Sequence, residues 1–317
     1  MIKNESDLLK YIKNNIKTKS KNVIKSIGDD CAVIRILPRK YFVITTDTSL
    51  LGPHFTIDYK ANDIGYKCLA TNLSDIAAMG CIPRFAFLAI TIPKLDTQWV
   101  KSFYRGLNQL LKMHNVALIG GDTNKGPLSI SIQVVGENKT NILYRDGAKI
   151  HDDIYITGML GSARTALMIS NEKKYFKEFK ILRKYLHRPT PRINIGIELA
   201  SVANSCIDIS DGLAKDLKCI LSDSNKGAII HIDKIPRHRL IKNVINPNKI
   251  YTAILGGGED YELCFTAHRK YRDKITSLSK KFKIKITNIG KITDNHLSYI
   301  ENGKEIQVNI DGYDHFS

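Results

Sequence analysis

A chain of 317 residues with 43% hydrophobic content has length for about two domains and enough apolar material to bury a core in each. No apolar run approaches the roughly 18 residues a membrane helix needs, and the Lys-rich N-terminus lacks the apolar centre of a signal peptide, so a cytoplasmic protein with no membrane partner is expected. The 48 Lys and Arg against 31 Asp and Glu, a formal +17, are spread over stretches such as 9–25, 172–192 and 280–291; without a helix-turn-helix, RNP or finger signature they read as solvated surface, with no specific nucleic-acid partner.

A helical pattern near Leu8, Leu9, Ile12 and Ile16 leads to strand candidates "CAVIRIL" (31–37) and "YFVITT" (41–46). A helix over "ANDIGYKCLATNLSDIAAMG" (61–80) follows, with Ile64, Cys68, Leu69 and Ile76 on related faces. Next come the strand "FAFLAITI" (85–92), a helix capped by Asp96 that carries Trp99, Phe103, Leu107 and Leu110, and the strands "VALIG" (116–120) and "LSISIQVVG" (128–136). In the last of these Leu128, Ile130, Ile132 and Val134 alternate with Ser129, Ser131 and Gln133, which predicts one buried face and one polar face.

The polar, turn-rich stretch 137–149 marks a boundary, giving an N-terminal domain over 1–140 and a C-terminal domain over 141–317. Beyond it, strands "DIYITG", "SCIDIS", "AIIHI", "YELCFTA" and "KITNIGKI" alternate with helical patterns near 161–170, 173–186, 192–203, 211–222 and 270–281. Both halves are α/β in content, which predicts two domains facing each other across a cleft. Six scattered cysteines, with no C-x-x-C pair, read as small buried residues.

Carboxylates recur at strand ends. Asp29 and Asp30 open a strand, whereas Asp47, Asp122 and Asp208 close apolar runs, where α/β proteins place their sites. Asp75 lies within a helix, and Asp211 stands where it would cap the helix beginning "GLAKDL". If these acids converge, each like pair 4 Å apart repels by about 4 kcal/mol at an effective dielectric near 20. Lys and Arg are absent from the motifs at 45–52, 72–80 and 206–214, so the compensating charge is expected to be a hard dication. Asp carboxylates with Thr and Ser hydroxyls are a donor set that Mg²⁺ accepts, with phosphate oxygens completing its shell. The acids therefore point to magnesium, and magnesium to phosphate. A Walker A loop and the protein-kinase motifs are absent, while the glycines of "LIGGDT" and "LGGGEDYEL" sit beside acids, where bare backbone admits a phosphate or a metal.

The segments "GDDCAV", "TTDTSLLGPHF", "NLSDIAAMG", "LIGGDTNKGPLSISIQVVG", "RDGAKIHDDIYITG", "IDISDGLAKDL", "GGGEDYELCFT" and "GYDHF" stand in the order and spacing of the thiamine-monophosphate kinase family and cover nearly the whole chain, which therefore resembles that family. The resemblance implies an α/β fold of the α+β type. It would have two PurM-like domains of the aminoimidazole-ribonucleotide-synthetase type, each a mixed sheet packed with helices, with the active site in the cleft between them. It implies transfer of the γ-phosphoryl group of ATP, the co-substrate, to thiamine monophosphate, with several Mg²⁺ ions as cofactor. Carried over by motif, Asp30, Thr45, Thr46, Asp47, Asp75, Asp122, Asp208 and Asp211 are the implied metal ligands, with Asp47, Asp122 and Asp208 central to catalysis. Tyr104, Gly121, Asp122, Arg145 and Ser210 are implied ATP contacts, and His54, Glu259 and Tyr313 contacts of the thiamine portion. A homodimer joined through the N-terminal sheets is also implied.

The acceptor phosphate is already ionised at neutral pH, so no general base is needed, and bringing two polyanions together is a task for cations. Two other readings stand beside this one: a different ATP-dependent enzyme of the same fold, such as aminoimidazole ribonucleotide synthetase, and a basic nucleic-acid-binding protein with an inactive kinase fold.

Overall fold

The computed structural model describes Asp7, Ile12 and residues 20–26, 28–310 and 312–313. The helical pattern expected near Leu8, Leu9 and Ile16 falls outside these residues. Among the described residues, no helix is long and apolar enough to cross a membrane.

The first sheet contains β1 (Val23–Lys25), β2 (Ala32–Leu37), β3 (Lys40–Leu50), β4 (Cys81–Ile92), β5 (Ala117–Lys125) and β6 (Ser129–Asn138), in the order β1-β2-β3-β6-β4-β5. Only the β4–β5 pair is parallel. A parallel neighbour requires a crossover, and α2 (Thr97–His114) supplies it. It starts where Asp96 Oδ1 accepts the amides of Gln98 and Trp99 at 2.9 and 3.0 Å, as its sequence predicts, and stops at left-handed Asn115. The alternation expected in 128–136 is present, with Ile130, Ile132 and Val134 buried and Ser129, Ser131 and Gln133 less so.

The second sheet contains β7 (Asp153–Thr157), β8 (Ala203–Asp208), β9 (Gly227–His231), β10 (Leu263–Ala267), β11 (Ile286–Thr293), β12 (Leu297–Glu301) and β13 (Lys304–Ile306), in the order β13-β12-β9-β11-β7-β10-β8. Around it lie α3 (Ser162–Ile169), α4 (Phe176–His187), α5 (Ile193–Leu199), α6 (Leu213–Ser224), α7 (Ile241–Val244), α8 (Pro247–Ile254) and α9 (Arg272–Phe282). Its central strands divide their side chains by the period of two. Tyr155, Cys206 and Phe265 join the core that also holds the N-terminal domain, and Ile154, Ile156, Ile207 and Cys264 join a separate C-terminal core.

The helix α1 (Ala61–Ala78) links the two halves. Of its 18 residues only Asn62, Asp63 and Asp75 escape full burial, so it is enclosed on all sides rather than laid on a surface. Its Leu69, Leu73 and Ile76 share one apolar cluster with Val33, Ile132 and Val134 of the first sheet and with Leu199, Leu263 and Phe265 of the second domain. Close approach is secured by glycines. A Cβ on Gly106 of α2 would lie 1.8 Å from the Asn62 carbonyl, and one on Gly196 of α5 would lie 2.1 Å from that of Ala77.

Candidate active site

Three elements that reach the domain boundary from different directions build the acidic centre. β3 delivers Thr45, Thr46 and Asp47 along a strand paired with β6, Thr45 facing Val134 and Asp47 facing Ile132. α1 delivers Lys67, Thr71 and Asp75, spaced four apart and so on one stripe of the helix. β8 ends at Asp208 and hands over to Ser210 and Asp211. One carboxylate oxygen each from Asp30, Asp75 and Asp208 lies within 4.8 Å of the other two.

Hydroxyls hold these carboxylates in place. Thr45 Oγ1 donates to Asp75 Oδ2 at 2.5 Å, and the fully buried Ser74 donates to Asp208 Oδ2 at 2.7 Å. Burial, with the neighbouring Asp47, Asp208 and Asp30 charges, pushes the Asp75 carboxyl well above the usual carboxylate range. Burial and Asp30 do the same to Asp208, and burial raises Asp47. Protein groups alone therefore leave these acids short of positive charge, and an all-oxygen set of this kind suits Mg²⁺.

Some compensation does come from side chains, which the local motifs did not show. Arg145 Nη2 sits 2.7 Å from Asp30 Oδ1, and Lys215 Nζ sits 2.7 Å from Asp211 Oδ2. Asp211 is not the cap of α6: that position belongs to Gly212, with φ of 116°, because the buried Asp216 carboxylate takes the Asp211 and Gly212 amides at 3.1 and 3.0 Å.

The acids open onto a cleft of about 870 Å³ between the domains. It is lined by Thr46, Asp47, Asp75, Asp208, Ser210 and Asp211, by His54, Lys67, Glu259 and Tyr313, and by the rings of Phe55, Tyr59, Phe179 and His187. The rings form a contiguous group, with Tyr59 stacked on His187 at 3.8 Å and Phe179 edge-on to it. Glu259 holds a left-handed backbone, φ 73°, with its amide on the Ser210 carbonyl at 2.8 Å. With dications among the acids, a carboxylate-rich part and an aromatic part in one cleft suit a ligand with a phosphate and a planar ring system.

Family models describe the chain as AIR synthase related protein, with the N-terminal domain matched over residues 28–138 and the C-terminal domain over 150–301. It is 43% identical to the thiamine-monophosphate kinase of Buchnera aphidicola subsp. Schizaphis graminum, with 99% of each chain covered. It is 37% identical to that of Escherichia coli K12, covering 99% of this chain and 98% of the relative. The chain belongs to the thiamine-monophosphate kinase family. Among solved structures, AaThiL complexed with AMPPCP and TMP superposes with a TM-score of 0.85 at 28% identity, covering 98% of this chain and 97% of that one. The two domains thus have the PurM-like α/β architecture that the resemblance implied.

Of the residues singled out from sequence in this thiamine-monophosphate kinase family member, Thr46, Asp47, His54, Asp75, Asp208, Ser210, Asp211, Glu259 and Tyr313 line the cleft. Asp30 joins through the acid cluster, Thr45 through Asp75 and Arg145 through Asp30. Tyr104, Gly121 and Asp122 stand apart. Asp122 lies on the exposed β5, its carboxylate engaged by the Thr123 amide and Asn124 Nδ2 at 2.9 and 2.6 Å. Tyr104 shares a shallow depression with Leu118 at the start of the same strand. Gly121 has φ of 150°, and a Cβ there would strike the Leu88 carbonyl at 1.8 Å. The register Asp47–Ile132–Leu88–Gly121 puts Asp122 three strands from Asp47, about 14 Å at ordinary strand spacing.

Sequence reasoning missed Lys67, Ser74 and Asp216, as well as Lys215 and the cleft rings of Phe55, Tyr59, Phe179 and His187. The signal for Lys67 was its place in the four-residue spacing that ends at Asp75; Ser74 and Asp216 offered none, because their partners are set by the fold.

Proposed function

We propose that the chain transfers the γ-phosphoryl group of ATP to the phosphate of thiamine monophosphate. An acceptor phosphate oxygen bonds to the γ-phosphorus as its bond to the bridging oxygen breaks, leaving ADP and thiamine diphosphate. The observation that carries this reading is the convergence of Asp30, Asp75 and Asp208 at one end of a cleft that also presents Tyr59, Phe179 and His187. Full-length identity to thiamine-monophosphate kinases supports it, as does the likeness to AaThiL, solved with AMPPCP and TMP.

The residues fit Mg²⁺, because they offer only oxygen and their carboxyls are left short of positive charge. Asp30, Asp75 and Asp208, with Thr45, Thr46, Asp47 and Asp211, would hold several ions, joined by Asp122 from a second copy of the chain, and their charge would offset the repulsion between the two phosphorylated substrates. The chain's own part is orientation. Thr45 and Ser74 fix the rotamers of Asp75 and Asp208, so the carboxylates are arranged before substrate arrives. Arg145, restrained by Asp30, would offer its remaining donors to ATP phosphate. Ser210 lies beside the nucleotide in this reading, and His54, Glu259 and Tyr313 face the thiamine portion. Incubating the chain with ATP and thiamine monophosphate, with and without Mg²⁺, tests it. Thiamine diphosphate should form only with the metal, and ATP hydrolysis without phosphorylated thiamine would remove the assignment.

The same reading includes a homodimer joined through the N-terminal sheets. It is supported by β5, whose nine residues are all exposed and carry Leu118 and Ile119. In such a dimer Tyr104, Gly121 and Asp122 would serve a site completed by the second copy. Asp122→Asn and Asp208→Asn are each expected to be inactive. Co-expressed, they should recover about a quarter of the wild-type rate, since half the dimers are mixed and one of their two sites is intact. No recovery would place Asp122 in the cleft of its own chain.

A further inference from the structure

Among the buried residues of α1, Lys67 alone carries a positive charge. It is 3% exposed, in the middle of a helix otherwise packed with Ile64, Leu69, Leu73 and small residues, where a Met or Leu would cost less to desolvate. Its ammonium has two acceptors on opposite walls of the cleft. Nζ donates to the His54 carbonyl at 2.9 Å, in the loop between β3 and α1, and pairs with the carboxylate of Glu259, in the glycine-rich loop before β10. The first acceptor belongs to the N-terminal domain and the second to the C-terminal domain. The Tyr59 ring, 5.6 Å from Nζ, closes the third side.

Both acceptors belong to residues that face the cleft: His54 sits in a turn closed on the end of β3 by its amide on the Leu50 carbonyl at 3.2 Å, and Glu259 in a glycine-rich loop outside the strands. Glu259 has its amide on Ser210 and its carboxylate on Lys67, so a left-handed residue in a glycine-rich loop is tied at both ends. The next acids of the loop are tied elsewhere: Asp260 takes the Gly161 amide at the start of α3, and Glu262 takes Arg192 and Thr157. Of these three acids, Glu259 is the one fastened across the domain boundary.

We propose that Lys67 is a positioning residue for the acceptor substrate: one ammonium sets the His54 loop and the Glu259 carboxylate relative to each other. It thereby fixes the spacing of the two walls that recognise the thiamine portion. The proposal rests on the kinase reading above and adds to it the residue that aligns the acceptor site. It also separates the substrates, because ATP is held by groups that Lys67 does not touch.

Steady-state kinetics of the full chain with ATP, Mg²⁺ and thiamine monophosphate test it. In Lys67→Met the KM for thiamine monophosphate should rise about tenfold to a hundredfold, while the KM for ATP moves little. Lys67→Arg, which keeps the charge, should recover part of the loss. Adding Glu259→Gln to Lys67→Met should raise that KM by less than the two single effects combined. If Lys67→Met does not fold, Lys67→Gln, which keeps a donor for His54, provides the same comparison. An unchanged KM for thiamine monophosphate in a folded variant would overturn the proposal, as would an equal rise for both substrates or a lower melting temperature with unaltered kinetic constants. Wild-type chain that makes no thiamine diphosphate would overturn the kinase reading and this proposal together, whereas an active wild type beside an unaffected variant sinks only the role of Lys67.

Discussion

Asp75 is met by the charges of Asp47, Asp208 and Asp30, against which Thr45 sets one hydrogen bond. Asp75→Asn should therefore lower turnover at least about a hundredfold while raising the melting temperature of the metal-free chain, because one buried repulsive charge is gone. Circular dichroism melts beside rate measurements check both halves, and a less stable variant would contradict the electrostatic account. His187 makes a pH-dependent contribution of its own. Burial, opposed by Asp63, takes its imidazole down to about 4 from an ordinary 6.5, so it stays neutral against Tyr59. Below pH 6.5 the unfolded chain binds a proton that the folded chain refuses, so this contribution to stability is lost as pH falls from 6.5 towards 4. Melting temperatures of wild type and His187→Gln over that window should show a shallower decline in the variant. Much of the site was legible at this scale, because acids beside apolar runs announce themselves through charge, although only Asp208 ends its strand; Asp47 and Asp122 lie inside β3 and β5, whose pairing carries them on to Leu50 and Lys125. Lys67 did not, since a lone lysine in a helix reads as solvent-facing until the fold buries it. Nor did the bond from Arg145 to Asp30, which joins positions 115 apart in sequence.

The helices and strands succeed or fail by how much of their reason is local. α2 was legible because its cap, amphipathic stripe and left-handed stop lie within its own sequence. β5 was read only as far as Gly120, yet it continues through Lys125, because pairing with β4 holds a Gly-, Asp- and Asn-containing segment extended despite its poor strand propensity. The β12–β13 hairpin went unread although its signal was present: Asn302 and Gly303 both have positive φ, as the tight turn between paired strands requires. At the crossing of α1 and α2, Gly65 and Gly106 let backbone meet backbone, and a Cβ on Gly65 would lie 2.1 Å from the Phe103 carbonyl. Gly106→Ala should therefore push the helices apart and destabilise the protein by about 1–3 kcal/mol or more. Chemical denaturation measures this, and a change below about 0.5 kcal/mol would show that the crossing is looser than the structure has it.

For the molecule as a whole, composition and motif order carried the architecture, but the meeting of the halves was not written in any segment. The first sheet ends at Asn138 and the second begins at Asp153, yet the apolar core does not stop between them. α1 contributes to it from one side and Leu199, Phe265 and Ile275 from the other. Calorimetry on the full chain should accordingly give one cooperative transition, and residues 1–140 alone should fail to melt cooperatively. Two separated transitions would mean that the shared core is weaker than its burial suggests.

That shared helix also limits how reactants gain entry. A protein whose lobes are joined by a thin strap can swing apart to admit its guests, but here any such swing would tear Leu69, Leu73 and Ile76 out of contact with one neighbour or the other. Wide parting of the lobes would therefore cost the core that frames the acids. ATP and its acceptor would then reach the acids past His54 and Gly258, which line the cleft, without the lobes swinging apart.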